Sequence, residues 1–152
     1  MTFPVTEHTV KTARHTTGYL ACGAETGPLL IFCHGWPELS LSWRHQLPAM
    51  AALGFRCVAP DMRGYGRSST YKRHEDFAQE LIVEDMLELL ASLGRDKAVW
   101  IGHDWGSSVV WGSSTNSAFS VIWGSSTSAT SVIWGSNSGS SDAFSVLVNG
   151  DN

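Results

Sequence analysis

The fold is decided around residues 100–114, which read WIGHDWGSSVVWGSS. Gly102, His103, Asp104, Trp105 and Gly106 form the pattern G-x-D-x-G directly after the apolar run of "KAVWIGHD", residues 97–104. A tight turn from a strand into a helix needs small residues on both sides of its centre, and it lifts the central side chain above the edge of the sheet. This stretch therefore predicts a buried strand and a sharp turn with Asp104 at the tip.

The segments before this turn are of two kinds, short apolar runs and stretches with a helical pattern. Short apolar runs predict buried strands, and one 3.6-residue pattern places Ile82, Met86, Leu89, Leu90 and Leu93 on a single helical face. The predicted elements are a strand pair around a turn in 18–28, strands in 28–35, 55–61 and 97–104, and helices in 42–54 and about 75–93, ended by Gly54 and Gly94. Strands that alternate with helices indicate parallel βαβ units, so the fold class is an α/β sheet with flanking helices.

The composition changes abruptly after Gly106. Residues 107–152 contain 15 serines and no Lys, Arg, His, Tyr, Pro, Cys or Met. Four related units begin at Ser108 (SVVWGSS), Ser120 (SVIWGSS), Ser131 (SVIWGSN) and Ser145 (SVLVNGD). Short β-branched runs between Gly and Ser clusters at this spacing predict strands and turns of a repeat array. We therefore divide the chain into 1–106, the α/β part, and 107–152, a tail that is β-rich or disordered.

Overall composition excludes several classes of protein. The 152 residues are 43% hydrophobic with a net charge of −4, which favours a globular protein without a nucleic-acid footprint. No run approaches the ~20 apolar residues of a membrane span, and the N-terminus lacks a secretory signal. Three irregularly spaced cysteines form neither a disulfide framework nor a metal motif. We expect a cytoplasmic protein.

A carboxylate at the tip of such a turn implies particular chemistry. Asp is ionised at neutral pH, so it can displace a leaving group at an sp³ carbon and form an alkyl ester. Hydrolysis of that ester then needs a general base and an oxyanion hole. Epoxides and alkyl halides suit the first step. No metal or organic cofactor is implied, because the reaction needs only water.

Three stretches carry a family resemblance. "HGWPE" (34–38), "SWRHQLPAMAALGFRCVAPDMRGYGRSS" (42–69) and "VWIGHDWG" (99–106) resemble the N-terminal half of soluble epoxide hydrolases of the α/β-hydrolase family, over roughly residues 15–112. The resemblance implies a nucleophile elbow with Asp104 as nucleophile, flanked by Gly102, His103 and Gly106. It also implies an oxyanion hole made by the backbone N–H groups of Trp36 and Trp105. His34, Gly35 and Pro37 are expected to order the loop, and the implied partner is a small-molecule epoxide.

The chain also departs from that family. The family order is nucleophile, acid, then His, with a helical cap whose tyrosines protonate the epoxide oxygen. After Asp104 this chain has neither His nor Tyr. Neighbouring residues on a sharp turn point apart, so we do not expect His103 to be the base. The sequence thus predicts a truncated epoxide hydrolase without full turnover.

Two alternatives stay open. The first is a non-catalytic chimeric or relic protein with a β-repeat surface or assembly tail, similar to the "SVVWG" repeats at the ends of some bacterial subtilisin-like peptidases. The second, ranked lower, is a haloalkane dehalogenase, a class that usually has Asn or Glu at the position of Trp36. We also expect self-association through the exposed edge of the last strand, because open apolar edges pair with other chains.

Overall fold

The computed structural model describes residues 3–114, with side chains for residues 3–110. The strands are β1 (Thr6–Lys11), β2 (Thr16–Cys22), β3 (Leu29–Cys33), β4 (Arg56–Pro60) and β5 (Val99–Gly102). The helices are α1 (Gln46–Ala52), α2 (Gln79–Ser92) and α3 (Trp105–Ser114), with short 3-10 turns at Ser40–Trp43 and His74–Phe77. These elements confirm the predicted α/β class.

The strands form one mixed sheet in the order β1-β2-β4-β3-β5. β3 lies parallel to both β4 and β5, whereas β2 lies antiparallel to β1 and β4. The predicted strand pair in 18–28 is wrong: this region holds most of one strand, β2, followed by the loop to β3, and the partners of β2 are β1 and β4. The pattern of residues 6–11 is mostly polar because β1 is an outer strand with exposed side chains, which is why the sequence did not reveal it.

The core has two halves, one on each face of the sheet. Successive residues of a strand point to opposite faces, so the continuous apolar run of β3 supplies both halves. Ile31 packs with Met86, Leu89 and Val109 on the face covered by α2 and α3. Leu30 and Phe32 pack with Leu47 and Ala51 of α1 on the other face. The cysteines are buried and free, and burial raises the pKa of the Cys33 and Cys57 thiols to about 12.

Helix α2 forms where its pattern predicts it. Ile82, Met86, Leu89 and Leu90 are buried on the predicted face, while Leu93 is partly buried at the C-terminal end of the helix. Gly94, at φ +68°, adopts the left-handed backbone that ends helices.

The first tail unit, SVVWGSS at residues 108–114, is not a strand. It lies inside α3, so that prediction is wrong, and the proposed boundary after Gly106 falls within a continuous helix. Val109 and Val110 are fully buried in the core against the sheet. This burial overrides the preference of β-branched residues for strands. The other three units, and the predicted resemblance to peptidase repeats, lie outside the described residues.

Within residues 3–114, β5 has a single strand neighbour, β3. Self-association at this edge stays a prediction. Over the same range, none of the helices has both the length and the apolar character needed to span a lipid bilayer.

Candidate active site

Asp104 lies at the tip of the turn that joins β5 to α3. Strand β5 ends at Gly102 and α3 begins at Trp105, which leaves two residues to reverse the direction of the chain. Asp104 has φ +52°, the left-handed region that Asp and Asn tolerate better than most side chains. Its side chain is exposed at the carboxyl edge of the parallel strands.

Three glycines allow the backbone to approach this closely. A Cβ on Gly102 would lie 2.6 Å from the carbonyl oxygen of Gly106. One on Gly106 would collide with the carbonyl of Cys33 at the end of β3, and one on Gly35 would lie 2.6 Å from Cβ of Asp104. The two glycines of G-x-D-x-G and the glycine of His-Gly-Trp-Pro therefore let the two loops touch.

A backbone amide holds the Asp104 carboxylate. The N–H of Trp36 donates to Oδ2 over 3.1 Å. The Trp36 and Trp105 amides, with a smaller contribution from the neighbouring His103, lower the pKa of Asp104 below its ordinary value. The carboxylate is thus ionised at neutral pH, with one oxygen fixed in direction.

His34 is a fully buried ring at the start of the loop that carries Trp36. Its Nε2 accepts a hydrogen bond from the N–H of Met62 over 3.0 Å, so the hydrogen of the neutral ring is on Nδ1, which lies 2.8 Å from the carbonyl oxygen of Gly35. Burial lowers the pKa of His34. Both ring nitrogens of this neutral imidazole are engaged.

His103 and Glu38 lie beside the carboxylate. His103 Nδ1 is 3.4 Å from Oε2 of Glu38, and the same oxygen accepts a hydrogen bond from the N–H of Gly35 over 3.3 Å. Glu38 belongs to the HGWPE stretch, and the sequence predicts no role for it. Met62 contributes only its backbone N–H, which bonds His34, so the identity of its side chain could not predict this role.

One large apolar side chain in the loop that contacts Asp104 is open to solvent. Trp36, whose N–H donates to the carboxylate, is 68% exposed. The chain joins Trp36 to Pro37 by a cis peptide bond. The centroid of the Tyr65 ring lies 5.1 Å from that of the His34 ring and 6.4 Å from that of the Trp105 ring. An ionised and accessible carboxylate of this kind can act as a nucleophile.

Comparison with known families gives a match across this region. The family described as alpha/beta hydrolase fold matches residues 28–111, more than half of the chain. Epoxide hydrolase A of Mycobacterium tuberculosis (strain ATCC 25618 / H37Rv) is 43% identical over 106 residues, 70% of this chain and 33% of that protein. Bifunctional epoxide hydrolase 2 of Sus scrofa is 49% identical over 86 residues, 57% of this chain and 16% of that protein. Epoxide hydrolases are thus homologues of the N-terminal part.

Solved structures give the same result. Epoxide Hydrolase A from Mycobacterium thermoresistibile superposes with a TM-score of 0.75 at 36% identity, over 80% of this chain and 39% of that one. An epoxide hydrolase from Vigna radiata superposes with a TM-score of 0.73 at 32% identity, over 79% of this chain and 39% of that one. The chain therefore spans well under half the length of these relatives.

Proposed function

Because the chain belongs to the alpha/beta hydrolase fold family, we propose that Asp104 opens epoxides by nucleophilic attack. The observation that carries this proposal is the exposed Asp104 carboxylate at the tip of the turn, with Oδ2 held by the Trp36 amide. The homologues of the N-terminal part are named epoxide hydrolases, which makes a small-molecule epoxide the favoured substrate class.

The proposed step uses one carboxylate oxygen at a time. The oxygen that Trp36 does not hold attacks an epoxide carbon, the carbon–oxygen bond of the ring breaks, and the released alkoxide takes a proton from water. The product is a 2-hydroxyalkyl ester of Asp104. The amides of Trp36 and Trp105 then face the ester carbonyl oxygen, where they would stabilise the oxyanion formed by attack of water.

Release of a diol requires a base to activate that water. Residues 105–152 contain neither His nor Tyr. Both nitrogens of His34 are engaged, and His103 lies against Glu38. We therefore propose that the 152-residue chain forms the ester but does not turn over, so that one epoxide is trapped per protein.

The test is the intact mass of the protein after incubation with an aryl epoxide such as styrene oxide. The chain is expected to gain the mass of one epoxide, and peptide mapping should place it on Asp104. Asp104→Asn should gain none, because Asn keeps the shape and tolerates the left-handed backbone but is not an anionic nucleophile. Asp96→Asn, which changes an exposed aspartate away from the site, is the matched control and should react like the parent.

Three outcomes would contradict the proposal in distinguishable ways. A folded protein without any adduct would favour the non-catalytic alternative. Catalytic diol release, abolished in Asp104→Ala, would show that a base is present and that the reaction continues past the ester. Halide release from a chloroalkane without epoxide trapping would favour the dehalogenase alternative.

A further inference from the structure

The peptide unit between Gly35 and Trp36 has both of its polar groups in use. Its N–H, from Trp36, donates to Oδ2 of Asp104. Its carbonyl oxygen, from Gly35, lies 2.8 Å from His34 Nδ1 and also accepts the N–H of Glu38 over 3.0 Å. In a planar trans peptide the C=O and the N–H point in opposite directions. Any group that fixes the direction of the Gly35 carbonyl therefore fixes the direction in which the Trp36 N–H points.

The His34 ring is itself held from a third element. Its Nε2 accepts the N–H of Met62, two residues after the end of β4. The ring is fully buried, and Tyr65 packs edge-on against it at 5.1 Å. The ring is thus a rigid link between the loop after β4 and the carbonyl of Gly35.

We propose that His34 is a positioning residue for Asp104: its Nδ1–H orients the Gly35–Trp36 peptide so that the Trp36 N–H points at Oδ2, with the Met62 amide as the anchor of the ring. Burial favours the neutral ring that this arrangement needs, because it lowers the pKa of His34. The proposal concerns the hydrogen bond between Trp36 and Asp104. It is tested without any epoxide, so it stands or falls separately from the proposed function.

Two substitutions separate the two nitrogens of the ring. In His34→Asn the side-chain amide nitrogen occupies the place of Nδ1 and can still donate to Gly35, while the link to Met62 is lost. In His34→Gln the amide oxygen reaches the place of Nε2 and can still accept from Met62, while the donor at the Nδ1 position is lost. The Asn variant should therefore keep the Trp36–Asp104 bond better than the Gln variant.

The readout is the NMR titration of the Asp104 carboxyl carbon together with the Trp36 amide proton. In the parent chain the amide proton should follow the Asp104 titration, because it is bonded to that carboxylate. In His34→Gln we expect the pKa of Asp104 to rise towards its ordinary value and the response of the amide proton to shrink. His34→Asn should restore most of both signals.

His15→Gln is the matched control. His15 is also a buried histidine, and its ring nitrogens face a different cluster: Nδ1 lies 2.9 Å from the hydroxyl of Tyr71 and Nε2 lies 3.6 Å from Oδ2 of Asp85. This variant should lose comparable packing and leave the Asp104 titration unchanged. If His15→Gln and His34→Gln raise the Asp104 pKa equally, the effect is general loosening and the proposal is overturned.

Two further results would overturn it. An unchanged Asp104 titration in folded His34→Gln would mean that the Glu38 N–H alone holds the Gly35 carbonyl. The ¹⁵N shifts of the His34 ring in the parent chain supply a test that needs no variant: the hydrogen is expected on Nδ1, and a hydrogen on Nε2 would exclude the donor that the proposal requires.

Discussion

Two carboxylates of this protein, Asp104 and Asp85, show how the same side chain serves opposite purposes. Asp104 is exposed and accepts a hydrogen bond from the Trp36 amide, and its pKa is lowered, so it is ionised and yet accessible. Asp85, on α2, is fully buried, and its two oxygens are bonded by Arg63 over 2.7 and 2.8 Å. Arg14 lies 2.8 Å from the same carboxylate.

The difference lies in what neutralises each charge. The side chains of Arg63 and Arg14 bond the Asp85 carboxylate, which is fully buried and therefore closed to a substrate. These ion pairs join α2 to the loop after β4, which carries Arg63, and to the turn between β1 and β2, which carries Arg14. Backbone amides occupy only one side of Asp104, because glycines bring the two loops together without side chains. The comparison predicts that removing the Asp85 carboxylate damages folding, whereas removing the Asp104 carboxylate abolishes the chemistry and changes stability much less.

The largest effect is expected from Asp85→Ala. Loss of one partner of a buried ion pair leaves Arg63, which is 3% exposed, without its counter-charge. We expect the free energy of unfolding to fall by roughly 3–5 kcal/mol. Urea denaturation measures it. Glu84→Ala, which removes an exposed carboxylate one residue earlier on α2, should cost less than about 0.5 kcal/mol. Equal losses would mean that burial of the charge is not what matters.

Gly106→Ala tests the glycine contacts that give Asp104 its access. The added Cβ would collide with the Cys33 carbonyl and lie 2.7 Å from the carbonyl oxygen of His34. We expect a loss of about 1–3 kcal/mol in the free energy of unfolding. We also expect loss of the epoxide adduct, because α3 must move away from β3. Ser108→Ala, an exposed position on the same helix, should change neither, and a reactive Gly106→Ala protein would show that the close approach is dispensable.

A smaller effect separates the backbone of Asp104 from its charge. Asp104→Gly and Asp104→Ala both remove the carboxylate, so their difference reports the φ of +52° alone. The glycine variant should be more stable by about 1 kcal/mol, because a Cβ is unfavourable in the left-handed region. Thermal or urea unfolding of the two proteins side by side gives the value. Equal stabilities would mean that the turn relaxes once the carboxylate is gone.

The smallest expected effect is on the pH dependence of ester formation. Amide hydrogen bonds lower the pKa of Asp104 below the ordinary 3.8, so the reactive carboxylate is fully present at higher pH and is lost only as the pH falls through that lowered value. The rate of adduct formation should therefore be flat between about pH 5 and 8. Mass spectrometry at fixed times over this range measures it. A rate that halves near pH 6–7 would instead implicate a histidine in the first step.

Several features of the fold could be read directly from particular residues. The continuous apolar runs of β3, β4 and β5 predict buried strands because both of their faces are covered. The spacing of Ile82, Met86, Leu89 and Leu90 predicts α2 because one helical face is buried. Such local patterns are visible in sequence because burial on one or both faces selects apolar residues at a fixed period.

Other features depended on contacts between distant segments. The polar pattern of β1 does not distinguish an outer strand from a loop. The valines of SVVWGSS are helical because the sheet buries them, although the unit repeats in a tail that otherwise predicts strands. Glu38 and the Met62 amide join the candidate site only because the loops after β3, β4 and β5 meet at one edge.

By itself, then, the sequence determined that a carboxylate stands at a glycine-flanked turn after a buried strand, since only residues without side chains permit that turn. The tertiary structure decided the contacts around that carboxylate: the Trp36 N–H on Oδ2, and the places of Glu38 and the Met62 amide, to which the sequence assigned no role. Those hydrogen bonds join residues 34–38, 62 and 104. Every residue except proline has a backbone N–H, so the sequence does not show which of them will donate to a given side chain.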